Sequence, residues 1–326
     1  MAEINMVQAV NLALARALGD DQQVVVIGED VGVNGGVFRA TEGLLGRFGQ
    51  DRVLDTPIAE ALIAGMSVGM AAAGLKPVSE IQFMGFIYPT IDQLECHASR
   101  LRNRTRGRLT CPMVIRAPYG GGVHAPEHHS ESREAMLAHI PGLRVVIPSS
   151  PSRAYGLLLA AIRDPDPVVF LEPKKLYRAS TEEVADDGKA MPLDTGFILR
   201  QGTDVTLVTW GAMVQECQAA AMALSEQNIE VEIIDIATLN PFDPVQVLSS
   251  VEKTGRCVVV HEAVRTAGFG AEILATIAEH AMMSLVAPLK RITAPDTIVP
   301  LARLEQTFIP ESSSIVEAVT ELMTYS

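Results

Sequence analysis

The sequence predicts an α/β protein of two domains, each a mainly parallel sheet flanked by helices. Short β-branched runs alternate with helical patterns through most of the 326 residues, which is typical of strand–helix–strand units. The alternation stops at a polar, broken stretch from Arg178 to about Gly202 and then resumes. We therefore predict a first domain over residues 1–185, a linker over 186–202 and a second domain over 203–326.

In the first domain, β-branched runs bounded by polar, glycine or proline residues predict five strands. These are QVVVIGE, PVSEIQF, PMVIRAP, RVVIPS and PVVFLEP. Helical patterns lie between them at about Ala61–Ala73, Pro89–Arg104, Ser132–Ala138 and Ser152–Arg163.

The helix within LDTPIAEALIAGMSVGMAAAGL is apolar and carries a single carboxylate, Glu60. Thr56 is predicted as its N-cap and Pro57 as its first residue. Small residues then recur at roughly helical spacing, which suits close backbone packing rather than a solvated face. They are Gly65, Gly69 and Ala72. We therefore expect Glu60 to face something other than water.

The second domain repeats the same alternation. Its predicted strands are DVTLVTWG, VEIIDIATL, CVVVHEA and PLKRITAP, and its predicted helices are Met213–Gln227, Val245–Lys253 and Gly270–His280. Neither domain has GxGxxG after its first strand or GxxxxGK[ST], so nicotinamide-dinucleotide and P-loop nucleotide sites lose their best support.

The composition limits the classes of partner. With 48% apolar residues, 20% charged residues and a net charge of −13, the chain is expected to fold and to bind neither nucleic acid nor a membrane. The N-terminus does not resemble a signal peptide. The four cysteines show no CxxC spacing, which favours a reduced cytoplasmic protein. The arginine run at 100–108 is interpreted as a solvated surface, with contact to a partner chain as the alternative.

Two further segments could carry chemistry. The stretch YGGGVHAPEHHSES follows a predicted strand and holds His124, His128 and His129. A loop histidine there could act as an acid–base group, and a surface histidine cluster is the alternative. Pro126 argues against a helix that would present two histidines to a metal. The stretch EIQFMGFIYPTIDQ holds aromatic residues suited either to the core or to stacking on a flat ring.

These segments, with GEDVGVNGGVFRAT, PGLRVVIPS, AIRDPDPVVFLE, TLVTWGAMV and VHEAVRTAGFG, resemble the β chain of the thiamin-diphosphate-dependent first component of 2-oxo acid dehydrogenase complexes. The resemblance runs from about residue 4 to the C-terminus. It implies a pyrimidine-binding domain followed by a transketolase-type C-terminal domain.

The resemblance also implies roles for single residues. Glu60 would bind the aminopyrimidine ring of thiamin diphosphate and favour ionisation of its thiazolium carbon, Phe86 would stack on the ring, and Gln82 and Glu29 would lie beside it. His129 would help to transfer the acyl group to a lipoyl arm. A structural potassium ion would be held largely by backbone carbonyls of Met113, Ala161, Ile162, Asp164 and Asp166.

The diphosphate-binding signature of such enzymes, GDG followed by paired asparagines, is missing. The resemblance therefore implies an α chain that holds the diphosphate and its magnesium mainly by itself, in an α2β2 heterotetramer that serves a dihydrolipoyl acyltransferase core. GGGVHAPEHHSES is nearer to the pyruvate enzymes, with branched-chain 2-oxo acid and acetoin enzymes as alternatives. A non-catalytic subunit that docks the acyltransferase core is an alternative of another class, and a self-sufficient transketolase-like synthase is disfavoured by the length.

Overall fold

The computed structural model describes residues 2–325, with Ala2 described by its backbone alone. The chain divides into two compact units. The first comprises residues 1–119 and 136–193, and the second comprises residues 120–135 and 194–326. The chain thus passes from the first unit to the second inside the predicted linker, at Leu193–Asp194. The functional division at residues 186–202 stays a prediction.

The first unit is built around parallel strands in the order β6-β7-β5-β4-β2-β3. The short strands β1 and β8 pair separately and antiparallel. The strands are β1 Ala2–Asn5, β2 Val24–Gly28, β3 Val53–Asp55, β4 Lys76–Glu80, β5 Val114–Tyr119, β6 Arg144–Val146, β7 Val168–Pro173 and β8 Thr181–Val184. All five strands predicted for this domain are present, because each is a short apolar run ended by breaking residues.

The helices of the first part of the chain are α1 Met6–Asp20, α2 Leu44–Phe48, α3 Glu60–Ala72, α4 Ile91–Cys96, α5 Leu101–Arg104, α6 Glu134–Ala138 and α7 Pro151–Arg163. Asn5 begins α1 with a capping box, in which its side chain accepts from the Gln8 amide and Gln8 bonds back to the Asn5 amide. Helix α7 begins with Ser150 as N-cap and packs against α1.

The predicted helix Pro89–Arg104 is wrong as one element. It is divided into 3-10 turns at Tyr88–Thr90 and Ala98–Arg100 and the short helices α4 and α5. Two side chains bind a carbonyl that a continuous helix would use for its own backbone hydrogen bond, since Ser99 Oγ and Arg100 Nε both donate to the Glu95 carbonyl. The arginine run begins here, and Arg102 pairs with Asp166 at 2.7 Å.

The second unit is a five-stranded sheet in the order β14-β13-β10-β11-β9, parallel except for β9 at one edge. The strands of this unit, of which β12 lies outside the five-stranded sheet, are β9 Phe197–Arg200, β10 Val205–Thr209, β11 Val231–Asp235, β12 Thr238–Asn240, β13 Cys257–Val264 and β14 Lys290–Ala294. Its helices are α8 Met213–Ser225, α9 Val245–Thr254, α10 Gly270–His280, α11 Glu305–Phe308 and α12 Ser312–Leu322. The predicted fold class, mainly parallel sheets flanked by helices, is confirmed in both units.

Along residues 2–325, no helix combines the length and the apolar character that crossing a membrane requires.

Candidate functional site

The carboxyl ends of β2, β3 and β4 form one corner of the first unit. The register places Gly28 opposite both Asp55 and Glu80. A Cβ at Gly28 would lie 2.7 Å from the Glu80 carbonyl oxygen and 2.9 Å from Val31, so only glycine permits this approach. The residues that follow these strands therefore meet at one edge of the sheet, where open α/β sheets bind ligands.

Glu29 follows β2 directly and is buried, with 4% of its surface exposed. Among the described residues, its Oε1 atom has no hydrogen-bond partner. Burial raises the pKa of this carboxyl above its ordinary value, and the charge of Glu60 raises it further, while a hydrogen bond from the Ala59 backbone acts against them. Two acidic groups thus lie close together, and one of them has an acceptor oxygen available to an incoming donor.

Glu60 is the first residue of α3, and its side chain is partly exposed. The predicted start at Thr56 and Pro57 is wrong, since the Thr56 amide donates to the Gly28 carbonyl at 2.9 Å and residues 56–59 link β3 to the helix. Glu60 therefore lies at the positive end of the helix dipole, a position that favours a carboxylate.

The small-residue face of α3 differs from the prediction. Gly65 contacts the Gln93 side chain, but a Cβ at Gly69 would meet nothing within 4 Å and Ala72 is exposed. Ile58 and Leu62, on either side of Glu60, are 84% and 51% exposed. Within the first unit, this face of α3 is therefore not closely packed along its whole length.

Gln82 and Phe86 follow the end of β4, and both are half-buried. Phe86 ends a 3-10 turn and meets Phe83 edge to face, with ring centroids 5.7 Å apart. Phe83 in turn contacts Phe38 at 5.6 Å, and Phe38 contacts Tyr177 at 5.1 Å. These ring contacts hold Phe86 in the turn that follows the carboxyl end of β4.

A buried ionic cluster lies at the ends of β4, β5 and β7. Arg116 donates to Glu80 at 2.9 Å and to Glu172 at 2.6 and 3.0 Å, and Tyr177 donates to Glu172 at 2.6 Å. Burial raises the pKa of Glu80 despite the charge of Arg116. The cluster was not predicted, although one charged residue in each of three mainly apolar strand runs was a visible sign of it in the sequence.

His129 belongs to the second unit, where it ends the 3-10 turn Glu127–His129 and is half-buried. The turn is closed by hydrogen bonds from the His129 amide to the Pro126 carbonyl and from the Ser130 amide to the Glu127 carbonyl. The Gly120 amide donates to the Glu131 carbonyl at 3.0 Å and joins the two ends of the loop.

The three glycines before this turn are held by hydrogen bonds to buried carboxylates of the same unit. The Gly121 amide donates to Glu262 at 2.5 Å, and the Gly122 and His124 amides donate to Glu305 at 2.8 and 2.9 Å. These carboxylates were also missed by sequence analysis, because they lie far along the chain from the loop.

The other two histidines of the loop lie on the surface. His124 is 61% exposed and contacts Glu305 at 3.0 Å, and His128 contacts Glu131 at 3.8 Å. His124 adopts a φ of 57°, so the two do not share a helix face. Among residues 2–325, no three His, Cys, Asp or Glu side chains are grouped so as to hold a metal ion.

The five residues predicted to hold potassium lie in the first unit, around the link from α7 to β7. The Val168 amide donates to the Met113 carbonyl at 3.0 Å, and the Asp164 amide donates to the Ala161 carbonyl at 3.3 Å. The side chain of Asp164 binds Arg144 at 3.1 Å, and that of Asp166 binds Arg102. Ile162 is buried in the last turn of α7.

The chain matches two family models in succession. The model of the transketolase pyrimidine-binding domain covers residues 2–180, and that of the transketolase C-terminal domain covers residues 194–315. A split-gene transketolase solved as an inactive β4 tetramer superposes with a TM-score of 0.81 at 20% identity, over 99% of each chain. That likeness supports the fold.

Curated relatives match along their whole length. The pyruvate dehydrogenase E1 component subunit beta of Bacillus subtilis (strain 168) is 47% identical over 325 residues, covering 100% of both chains. That of Staphylococcus aureus is also 47% identical, and that of Acholeplasma laidlawii is 49% identical over 322 residues, covering 99% of this chain and 98% of the relative. The chain belongs to the family of pyruvate dehydrogenase E1 component β subunits, built from a transketolase pyrimidine-binding domain and a transketolase C-terminal domain.

Proposed function

We propose that the chain is the catalytic β subunit of an α2β2 heterotetramer that oxidatively decarboxylates pyruvate and passes the acyl group to a lipoyl arm of a dihydrolipoyl acyltransferase core. The observation that carries the catalytic part is the pair of neighbouring carboxylates Glu29 and Glu60, with Glu29 Oε1 buried and without a hydrogen-bond partner among the described residues. The names of the curated relatives support the choice of pyruvate.

The corner fits the aminopyrimidine ring of thiamin diphosphate. A buried acceptor oxygen beside a second carboxylate calls for a group that presents N–H donors, and the half-buried ring of Phe86 offers a flat apolar face. When bound, this cofactor supplies a nucleophilic carbon and an electron sink for the decarboxylated substrate.

The protein residues then have distinct tasks. Glu60 would hydrogen-bond a ring nitrogen of the cofactor and share a proton with it, and its place at the start of α3 would stabilise the carboxylate that accepts this hydrogen bond. Phe86 stacks on the ring, and Gln82 lines the same pocket. Glu29, with its raised pKa, can stay protonated more readily than an exposed carboxyl and so lowers the repulsion between the two acids.

His129 is proposed as the acid–base group of acyl transfer to the lipoyl arm. Imidazole exchanges protons near neutral pH, which suits a step that delivers a proton to a departing or attacking group. The hydrogen bonds that close the turn Glu127–His129 fix the backbone from which the His129 side chain extends.

The diphosphate and magnesium are proposed to lie mainly on the α chain. The four cysteines of this chain are free, which agrees with a cytoplasmic location.

A potassium ion is proposed at Met113, Ala161, Ile162, Asp164 and Asp166. Carbonyl oxygens have two lone pairs, so those of Met113 and Ala161 can accept an amide and still face a cation. Thermal unfolding in potassium chloride and in tetramethylammonium chloride tests this site, and equal midpoints would refute it.

The test of the central proposal is Glu60→Gln in the α2β2 enzyme supplied with thiamin diphosphate and magnesium. We expect decarboxylation of pyruvate to fall by about 100-fold or more, as is usual when a positioned proton-transfer group is lost. Glu42→Gln, an exposed carboxylate of the same unit, is the control. Near-normal decarboxylation by Glu60→Gln would remove its proposed role.

The same assay with 3-methyl-2-oxobutanoate, together with reduction of an artificial electron acceptor in the presence of acetoin, which has no carboxyl group to lose, decides the substrate. Preference for either would keep the mechanism and change the substrate class. Activity from the β chain purified alone would contradict the requirement for an α chain.

A further inference from the structure

The segment Gly120–Ser132, which we name the histidine loop, is fastened to its own unit by two buried carboxylates. Glu262 accepts a hydrogen bond from the Gly121 amide at 2.5 Å. Glu305 accepts from the Gly122 amide at 2.8 Å and the His124 amide at 2.9 Å, and its Oε2 atom lies 3.0 Å from His124 Nδ1. Glu262 and Glu305 are 3% and 2% exposed.

The carboxylates fit only because the loop begins with glycines. Gly120 has a φ of 80°, and a Cβ there would lie 2.8 Å from both carboxylate oxygens of Glu262. A Cβ at Gly121 would lie 3.0 Å from Glu305 Oε1 and from Ile309 Cδ1. The glycine run thus serves close approach of buried acceptors rather than flexibility.

The hydrogen bonds are of a strong kind. An amide that donates to an ionised carboxylate makes a shorter and stronger bond than an amide that donates to a neutral carbonyl, and burial strengthens it further. The two carboxylates come from separate elements of the unit, Glu262 from near the end of β13 and Glu305 from the first position of the short helix α11. The first half of the loop is therefore held by the sheet and by the C-terminal part of the unit.

Hydrogen bonds within the histidine loop connect its glycine segment to the turn that carries His129. Gly120 joins Glu131 across the base of the loop at 3.0 Å, and Ser130 Oγ donates to the Ala125 carbonyl at 3.3 Å. Only four residues separate the anchored His124 from His129. A shift of the glycine segment would consequently move the turn that carries the His129 ring.

We propose that Glu262 and Glu305 are positioning residues for acyl transfer, which hold the histidine loop in the conformation that presents His129. The inference rests on the proposed role of His129. Neither carboxylate needs to touch the substrate, because each acts by fixing backbone amides of the loop.

The experiment uses Glu262→Gln and Glu305→Gln in the α2β2 enzyme, with Glu279→Gln, an exposed carboxylate on α10, as the control. Glutamine keeps the shape and an acceptor oxygen but removes the charge. We expect amide hydrogen exchange in residues 121–124 to rise at least tenfold in both variants, with β13 unchanged. We expect acyl transfer to a lipoyl domain to slow by about 10- to 100-fold, in keeping with small misplacements of a catalytic group. Decarboxylation with an artificial electron acceptor should stay within about twofold of the parent enzyme, and unchanged exchange and transfer in both variants would overturn the inference.

His129→Ala separates the two proposals. If this variant transfers acyl groups normally, the role of His129 fails, and exchange in residues 121–124 still reports on the anchoring. If it is slow while Glu262→Gln and Glu305→Gln are normal, the positioning role fails and that of His129 stands. In the double variant His129→Ala with Glu305→Gln, transfer should be no slower than with His129→Ala alone, and additive losses would count against positioning. Glu305→Asp, which keeps the charge on a shorter side chain, gives the measurement if the glutamine variant does not fold, and it should lie between parent and His129→Ala.

Discussion

We predict that His261 makes the folding stability of the second unit fall as the pH is lowered. The residue lies in β13 with no exposed surface, and its ring stacks on Trp210 with centroids 5.2 Å apart. Burial lowers the pKa of the ring from 6.5 to about 4, and the charges of Arg291 and Arg265 act in the same direction, while the nearby backbone of Ala263 opposes them.

The sign of the effect follows from where the proton binds. Because the folded pKa lies below the unfolded one, the unfolded chain takes up a proton first as the pH falls below 6.5. Stability is therefore fully present above that pH and is lost progressively down to about pH 4. A pKa lowered from 6.5 to about 4 corresponds to about 2 kcal/mol lost at pH 5 and about 3 kcal/mol at pH 4.

The perturbation is a change from pH 7 to pH 5 in the parent chain and in His261→Leu, which cannot titrate. Carboxylates titrate equally in both chains, so the difference between their pH dependences isolates His261. Urea unfolding followed by the fluorescence of Trp210, the chain's single tryptophan, reports on this unit. The leucine variant is expected to be less stable at pH 7 because it loses the stacked ring, but its stability should fall by about 2 kcal/mol less on acidification.

Equal losses of stability in the two chains would refute this reasoning. An imidazole pKa near 6.5 for His261, measured by NMR of histidine-labelled protein, would refute it as well. Either result would mean that water or a hydrogen-bond acceptor reaches the ring, in contrast to its position between Trp210 and the backbone of Gly268 and Gly270.

Two substitutions test the packing on which the rest depends. Arg116→Met leaves Glu80 and Glu172 buried without their common partner, so we expect a loss of about 3–5 kcal/mol in urea unfolding, whereas Arg102→Met removes only an exposed pair and should change little. A small loss for Arg116→Met would show that the two carboxyls share a proton at low cost. Gly202→Ala places a Cβ 2.2 Å from the Val231 carbonyl carbon, so the thermal midpoint should fall by several degrees. Its control, Gly19→Ala, meets nothing within 4 Å and should stabilise α1 by about 0.5–1 kcal/mol, and equal behaviour of the two would contradict the steric argument.

Local sequence patterns predicted a helix or strand correctly where its formation depends mainly on its own residues. Helix α10 was predicted with its observed bounds, Gly270–His280, and the buried parallel strands were found because they are short apolar runs between breaking residues. The edge strands β1, β8 and β9 were missed, since Thr181–Val184 reads TEEV and carries no apolar run. The helix over Pro89–Arg104 failed because side chains of Ser99 and Arg100 compete for a backbone carbonyl, and a periodicity count does not include such competition.

The residues of the candidate site likewise fall into those that the sequence singles out and those whose role is visible only in the structure. The carboxylate Glu60 could be singled out because it interrupts an apolar helix. Glu29 was named through the family resemblance alone, and its buried oxygen without a partner among the described residues is visible only in the structure. The buried Arg116 cluster joins strands that are 36 and 56 residues apart, so each member looked like an isolated charge in the sequence.

The glycine run at 120–122 shows why a motif alone cannot decide between binding and anchoring. A run of glycines exposes backbone amides, and such amides bind a phosphate or a carboxylate equally well. Which acceptor they meet depends here on Glu262 and Glu305, which are 141 and 183 residues farther along the chain from the amides they accept. A buried acid in the strand run CVVVHEA was the visible sign that an acceptor was present. An unexplained glycine run and an unexplained buried carboxylate in one sequence are therefore better interpreted together, as the two halves of a single contact, than as two separate sites.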